Sequence, residues 1–209
     1  MIDARMRAVL SPSMGAAAAR LDRLGIRPGT VTAAGLLVGI GCCVAAALGE
    51  WTPALVLWLG NRLFDGLYGP LARLRGATDL GGMLDFLADF VVYGGFAVAV
   101  AVPDARLAAS VLLAAYLLNN VALLSFSSIL EKRGIELGDE RSLRFTAGLT
   151  EGAETIVCYA LVCLAPAHAA TIFWVFAALV LITVGQRLAL AVSTLGRRHD
   201  GASGDGRRR

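Results

Sequence analysis

The chain has 209 residues, of which 57% are apolar, and its mean hydropathy is +0.68. This composition excludes a soluble domain of that length and predicts an all-α integral membrane protein. The formal net charge is only +3, which is too small to indicate nucleic-acid binding, so we expect no nucleic-acid partner.

The first segment, residues 1–27, is basic and lacks the apolar core of a signal peptide. Within it, Ser11-Pro12-Ser13 precedes an alanine-rich stretch, a pattern typical of a helix start. We therefore predict a short interfacial helix at the cytoplasmic membrane surface, with a disordered tail over residues 1–10.

Six apolar runs follow, and each is long enough to cross a bilayer. They cover residues 28–49, 51–73, 81–103, 107–130, 146–166 and 168–195. We predict six transmembrane helices that form a single domain over residues 28–196, followed by a disordered basic tail over residues 197–209.

Basic residues are concentrated in the connections on one side of these spans, which predicts that both termini and the loop at 132–144 are cytoplasmic. In that topology seven ionisable groups of the spans fall in the cytoplasmic halves. Because such groups are costly in a membrane, they are expected to share a polar chamber that opens to the cytoplasm. The groups are Asp65, Arg73, Asp85, Asp89, Glu151, Glu154 and Arg187.

Carboxylates recur at helical spacing on both sides of a polar turn at residues 75–79. Asp85 and Asp89 are i and i+4 on one helix, and Asp65 lies on the preceding helix. A helix hairpin would bring the three together, where they would repel one another unless one is protonated or a cation lies among them. Oxygen ligands suit a hard cation such as Mg²⁺ or Mn²⁺.

These residues carry a family resemblance. The stretch Asp65-x2-Tyr68-Gly69-x2-Ala72-Arg73-x7-Gly81-x3-Asp85-x3-Asp89 resembles the signature of the CDP-alcohol phosphotransferases, D-x2-D-G-x2-A-R-x7/8-G-x3-D-x3-D. Seven of the eight fixed residues are present. The departure is Tyr68, which stands where the family has its second aspartate.

The resemblance implies transfer of a phosphoryl-alcohol unit, a phosphatidyl group, from a CDP-alcohol such as CDP-diacylglycerol to an acceptor alcohol, with release of CMP. It implies an enzyme of phospholipid biosynthesis in a bacterial-type inner or plasma membrane, active as a homodimer. Metal ligands would be Asp65, Asp85 and Asp89, with Asp89 also a candidate base, around two Mg²⁺ or Mn²⁺ ions in an intact site. Gly69, Ala72, Arg73 and Gly81 would bind the substrate.

Tyr68 keeps a second function open, because a neutral phenol is a poor ligand for Mg²⁺. On that alternative the chain is a binding or scaffold protein on the same fold, without turnover. An ion transporter would share the buried carboxylates, but it does not predict the Gly69-x2-Ala72-Arg73 spacing and ranks last.

Several residues also have purely structural interpretations. Asp85 and Asp89 could form salt bridges with Arg73 and Arg75 at a helix start, and Arg187 could extend to the interface or hold a phosphate. Glu151 and Glu154 could cap the fifth span or line a channel. Small residues in spans three and four are compatible with close packing between two copies of the chain. These are Gly94, Gly95, Ala97, Ala108, Ala109, Ala114 and Ala115.

Overall fold

The computed structural model describes residues 2–100, 103–135 and 152–196, and within them it is all-helical. Single-turn 3-10 helices at Pro103–Ala105 and Pro166–His168 precede the fifth and seventh α-helices. The α-helices are α1 (Ile2–Arg23), α2 (Pro28–Ala47), α3 (Trp51–Arg75), α4 (Asp79–Ala99), α5 (Arg106–Lys132), α6 (Gly152–Leu164) and α7 (Ala169–Gly196). The prediction of an all-α membrane protein is confirmed.

Four of these helices are long and apolar enough to cross a membrane: α2, α4, α5 and α7 together with its preceding turn. The helix α3 is 25 residues long, but Asn61, Arg62 and Asp65 interrupt its apolar run. The helix α6 is described only from Gly152, and its predicted start at residue 146 lies outside the described residues, as do Glu151 and the tail at 197–209. The count of six spans therefore stays a prediction.

The N-terminal helix is longer than the sequence predicted. It begins at Ile2 and continues through Pro12, so the expectation of a disordered tail over residues 1–10 is wrong. The residues before Pro12 are mostly good helix formers, and they favour the helix although proline removes one backbone hydrogen bond and crowds the carbonyl four residues earlier.

The helix α1 is fastened beside the C-terminal half of α3. Ala18 is fully buried against Leu71 in a small apolar cluster, and Arg75 donates to the Asp22 carboxylate over 2.5 Å and to the Asp22 carbonyl over 2.8 Å. This contact removes Arg75 from the carboxylates of α4. The alternative in which Arg75 pairs with Asp85 and Asp89 is therefore wrong.

Close packing of α2 against α3 and α4 depends on glycine. A Cβ on Gly35 would lie 2.9 Å from Cβ of Phe64 on α3, and one on Gly39 would lie 2.3 Å from Val92 on α4. Small residues four apart let helix backbones approach closely within a bilayer. As a result α4 packs more extensively against α2 than against α3, so α2 forms one wall of the site below.

Aromatic side chains of α3, α4 and α6 fill the core of the protein. Trp58, Phe96 and Tyr159 are fully buried and in mutual ring contact. The polar atoms of Trp58 and Tyr159 are hydrogen-bonded as well. Trp58 donates to the Ile156 carbonyl over 3.1 Å, and Tyr159 donates to the Tyr93 carbonyl over 2.7 Å. A buried polar atom that is hydrogen-bonded avoids a large desolvation cost, so this core holds α3, α4 and α6 in register.

Most of the small residues of spans three and four pack within one chain. Ala97, Ala108, Ala109 and Ala115 are buried in the core, and a Cβ on Gly95 would lie 3.1 Å from the Cys43 sulfur. Packing inside the monomer explains these five residues, whereas Ala114 is exposed. The homodimer therefore rests on the family resemblance alone and stays a prediction.

The predicted topology can be tested by labelling with a membrane-impermeant maleimide. We expect Ser142→Cys to be protected in intact cells and labelled after permeabilisation, because the arginine bias places its loop in the cytoplasm. The matched control is Asp104→Cys, an exposed position predicted to lie on the opposite face. The native cysteines are buried or half-buried, which keeps the background low. External labelling at position 142 would reverse the topology.

Candidate functional site

The signature spans the C-terminal half of α3, a three-residue turn and the first half of α4. The helix α3 ends at Arg75, Gly76 continues the chain with φ of 86°, and Thr78 caps α4 by accepting a hydrogen bond from the Gly81 amide over 3.1 Å. A positive φ is readily adopted by glycine, and a threonine N-cap satisfies one of the free amides of the first turn. The predicted turn is confirmed.

One cavity contains all three carboxylates. Asp65 of α3 and Asp85 and Asp89 of α4 line it together with residues of α2, so the predicted convergence of these side chains is confirmed. The α2 wall was not predicted. The remaining lining residues are Val31, Thr32, Gly35, Leu36, Asn61 and Ala88.

Thr32 on α2 positions one of the carboxylates. Its hydroxyl donates to Oδ1 of Asp85 over 3.1 Å, and the side chain lies one turn above Pro28, whose carbonyl is 3.5 Å from the same hydroxyl. A hydrogen bond to a carboxylate is stronger than one between neutral groups. This bond therefore ties Asp85 to the opposite helix and fixes its orientation in the cavity.

A buried arginine connects the other two carboxylates. Arg62 is 8% exposed, and its Nη2 donates to Oδ1 of Asp89 over 2.9 Å, while its Nη1 lies 3.6 Å from Oδ2 of Asp65. The same Nη1 donates to the Tyr93 hydroxyl over 2.6 Å. The partner of Asp89 is thus Arg62, one turn before Asp65 on α3.

The guanidinium of Arg62 is held from every side. Nε donates to the Asn61 side-chain carbonyl over 2.9 Å, Nη2 also contacts that oxygen, and the Asn61 amide donates to the Gly35 carbonyl over 2.8 Å. The rings of Trp58 and Tyr93 lie 4.7 and 4.8 Å from the guanidinium carbon. A cation over aromatic faces is stabilised by the ring quadrupoles, so the charge is fixed at the inner wall of the cavity.

Tyr68 does not line the cavity with the three aspartates. Its hydroxyl lies 2.7 Å from the position that a Cβ on Gly81 would occupy, and Thr78 Oγ1 lies 2.9 Å from the same point. A side chain at position 81 would therefore collide with both groups. Gly81 serves here to let Tyr68 approach the first turn of α4.

The other residues of the signature lie along α3. Ala72 is buried in the protein, Arg73 is exposed, and a Cβ on Gly69 would lie 3.4 Å from Nη1 of Arg73. The arginine thus folds back over the glycine one turn earlier. None of the three lines the carboxylate cavity.

The remaining ionisable groups of the predicted chamber lie elsewhere. Arg187 of α7 is buried and donates to the side chain and backbone carbonyls of Asn119 on α5, over 3.0 and 3.3 Å. Arg187 therefore links α7 to α5, and the expectation that it extends to the membrane interface is wrong. Glu154 is half-buried on α6 and does not line the cavity.

The model of the CDP-alcohol phosphatidyltransferase family matches residues 26–195, which is most of the chain. The chain belongs to this family. It is also 37% identical over 200 residues to the inner membrane protein YnjF of Escherichia coli (strain K12), and this alignment covers 93% of the chain and 97% of that protein.

The fold is that of a solved family structure. The crystal structure of Mycobacterium tuberculosis phosphatidylinositol phosphate synthase (PgsA1) with CDP-DAG bound superposes with a TM-score of 0.67. The match covers 86% of this chain and 93% of the other, at 22% identity. At that identity the match establishes the helical architecture.

Metal ions are a general feature of the CDP-alcohol phosphatidyltransferases, and the donors here can be compared with that requirement. The cavity offers only oxygen ligands, which suits a hard divalent cation. Within residues 2–100, 103–135 and 152–196, however, no three carboxylate, histidine or cysteine side chains form a group able to hold a metal. Arg62 contacts two of the three carboxylates, and Tyr68 lies outside the cavity. The residues present do not fit a pair of cations.

Two residues that contact the carboxylates of the cavity, Thr32 and Arg62, were not identified from the sequence. Thr32 lies in an uncharged run with no spacing that links it to Asp85. Arg62 could have been identified, because an arginine within an apolar run and three residues before Asp65 lies on the same helix face as that aspartate. Its bond to Asp89 depends on how α4 packs, and no local pattern reveals that.

Proposed function

We propose that this protein transfers a phosphatidyl group from a CDP-alcohol, of the CDP-diacylglycerol type, to the hydroxyl of an acceptor alcohol and releases CMP. The reaction serves phospholipid biosynthesis at the cytoplasmic face of a bacterial-type inner membrane. The observation that carries the proposal is the single cavity into which α3 and α4 bring Asp65, Asp85 and Asp89. Membership of the family supports the same reaction class.

In this reaction the acceptor oxygen attacks the phosphorus of the phosphatidyl unit. A new phosphorus–oxygen bond forms, the bond to CMP breaks with its electron pair on the CMP oxygen, and the acceptor proton passes to a carboxylate. Asp89 is the candidate base, because Arg62 fixes its orientation through Oδ1 and a carboxylate has a second oxygen to take a proton. Proton removal makes the acceptor oxygen a stronger nucleophile.

The donor's pyrophosphate requires positive charge close to the carboxylates. A divalent cation held by Asp65 and Asp85 would supply this charge when bound. Thr32 holds Asp85 in place for this role. The nucleotide phosphate would lie against Gly69 and the exposed guanidinium of Arg73. Ala72 and Gly81 are the other substrate-binding positions that the signature implies, and the Tyr68 hydroxyl lies beside Gly81 here.

Two further observations support the lipid substrate and the location. The structurally similar mycobacterial protein holds CDP-DAG, and the Escherichia coli relative is an inner membrane protein. A homodimer, as the resemblance implies, is part of the proposal.

The proposed function is tested by measuring CMP release from CDP-diacylglycerol over a panel of alcohols, with and without Mg²⁺. We expect CMP in the presence of one acceptor class and Mg²⁺, and none after chelation. The panel also identifies the acceptor alcohol.

Tyr68 favours a second candidate function, a binding or scaffold protein without turnover. The position that supplies a carboxylate in the family signature is a phenol directed at Gly81. This candidate predicts saturable binding of CDP-diacylglycerol and no CMP with any acceptor. The two functions therefore give different results in the same assay.

Loss of the Thr32 hydroxyl is expected to weaken the site modestly. Thr32→Val keeps the shape of the side chain but removes the bond to Asp85, and a bond of about 1 kcal/mol corresponds to about a five-fold decrease in Mn²⁺ affinity. Titration followed by electron paramagnetic resonance measures this change. Thr30→Val, an exposed position on the same helix, is the matched control and should bind Mn²⁺ as the unmodified chain does. Equal affinity for all three would remove Thr32 from the site.

A further inference from the structure

The charge in the carboxylate cavity is already partly compensated by the protein itself. Asp65, Asp85 and Asp89 contribute −3 and Arg62 contributes +1, which leaves −2. The side chain of Arg62 is only 5% exposed, so this positive charge cannot be replaced by water or by a mobile ion from solution. A buried charge that lacks a partner is strongly disfavoured, which ties Arg62 and the carboxylates together.

The number of divalent ions that this cavity can hold follows from that sum. One divalent ion would neutralise the net charge of −2, whereas two ions would leave a net charge of +2 in a partly buried cavity. The four carboxylates of the family signature would balance the charge of two divalent ions. Here Tyr68 replaces one of these carboxylates, and the charge of Arg62 offsets one of the three that remain.

The contacts show which carboxylates remain for an ion. Arg62 bonds directly to Asp89 over 2.9 Å but is 3.6 Å from Asp65, and its guanidinium is fixed by Asn61 and Tyr93. Asp85 makes no ion pair among the described residues and is held by the Thr32 hydroxyl. Mg²⁺ is commonly held by one or two carboxylates, with water and substrate phosphates as the other ligands. Asp65 and Asp85 are the two carboxylates of the cavity to which Arg62 does not donate a hydrogen bond, and water would supply the other ligands in the substrate-free chain.

We propose that the Arg62 guanidinium is a built-in cation of this cavity, which takes the electrostatic place of a second metal ion, so that the substrate-free chain binds one divalent cation at Asp65 and Asp85. The proposal rests on the proposed function for the presence of a metal site. It adds to that function the number of divalent ions and the residue, Arg62, that takes the place of a second ion.

The test counts Mn²⁺ bound to the full chain in lipid nanodiscs, without any CDP-alcohol, by electron paramagnetic resonance. We expect one Mn²⁺ per chain, weakened at least about ten-fold by Asp85→Asn. Asp79→Asn, an exposed position on the same helix, should leave both number and affinity unchanged. Two bound ions, or none, would overturn the proposal.

Arg62 variants test the origin of the limit. Arg62→Gln removes the positive charge and should raise Mn²⁺ affinity at least about ten-fold, because the ion no longer meets a like charge. Arg62→Lys keeps the positive charge but loses the guanidinium contacts to Asn61 and the two rings, so its Mn²⁺ affinity should lie closer to that of the unmodified chain than to that of Arg62→Gln. Unchanged affinity in a monodisperse Arg62→Gln preparation would overturn the proposal.

The number of Mn²⁺ ions bound to the unmodified chain tests the proposal even if Arg62→Gln does not fold. This measurement is also independent of CMP release. One bound Mn²⁺ without CMP release would support Arg62 as the built-in cation and reject the proposed reaction, whereas CMP release with two bound ions would do the reverse.

Discussion

Replacing Asp85 by asparagine is expected to reduce CMP release at least about a hundred-fold, a change of about 2.7 kcal/mol in the barrier. Asp85 is the carboxylate that bonds to Thr32 and makes no ion pair among the described residues. The substitution removes its negative charge but keeps its size, so the cation affinity and the neutralisation of the pyrophosphate should fall together. Asp65→Asn should have the same effect on cation affinity, by one order of magnitude or more.

The controls for this prediction lie on the same helix. Asp79→Asn changes an exposed aspartate of the first turn of α4 and should retain turnover. Asp89→Asn should spare Mn²⁺ binding more than it spares turnover, because Arg62 already compensates that carboxylate and its assigned role is to take a proton. Full turnover in Asp85→Asn, with Mg²⁺ at the same concentration, would remove this carboxylate from the mechanism.

The reverse substitution at the altered signature position is expected to increase activity. Tyr68→Asp should raise CMP release at least about ten-fold, which corresponds to about 1.4 kcal/mol. Position 68 is three residues after Asp65 on α3, so a carboxylate at this position would lie beside Asp65 on the helix surface. It would restore the fourth acidic residue of the signature. It also removes the phenol that fills the space beside Gly81.

Tyr68→Phe separates these two effects. It keeps the ring and removes only the hydroxyl, so its CMP release should match that of the unmodified chain. Both are measured at saturating Mg²⁺ with an acceptor that supports turnover. Equal rates for Tyr68→Asp and the unmodified chain would show that the tyrosine is compatible with full activity, and absence of turnover in all three would favour the scaffold function.

Local patterns in the sequence were sufficient to predict α3, α4 and the position of their carboxylates. Asp85 and Asp89 are i and i+4, and a capped turn at 76–78 separates them from α3, so their spacing determines one face of α4. The beginning of α1 is an exception, because Ser11-Pro12-Ser13 has the pattern of a helix start whereas the helix runs through Pro12. Proline at such a position is compatible with either outcome.

The composition of the cavity wall could not be predicted in this way. It depends on α2 packing between α3 and α4, which the glycines at 35 and 39 permit but do not specify. The same packing places Thr32 on Asp85. Similarly, Arg62 could have been an anchor at a helix end, and only the position of α4 brings Asp89 within hydrogen-bond distance. Contacts between helices distant in sequence leave no periodic signal in either one.

The central claim is that the carboxylate cavity transfers a phosphatidyl group, and the most direct test follows both products in one reaction. Purified protein in nanodiscs is given CDP-diacylglycerol, Mg²⁺ and the acceptor identified from the panel, and CMP and the new phospholipid are quantified together by mass spectrometry. We predict equal molar amounts of the two products, both lost in Asp85→Asn. CMP without a matching phospholipid, or neither product with any acceptor, would contradict the proposed function.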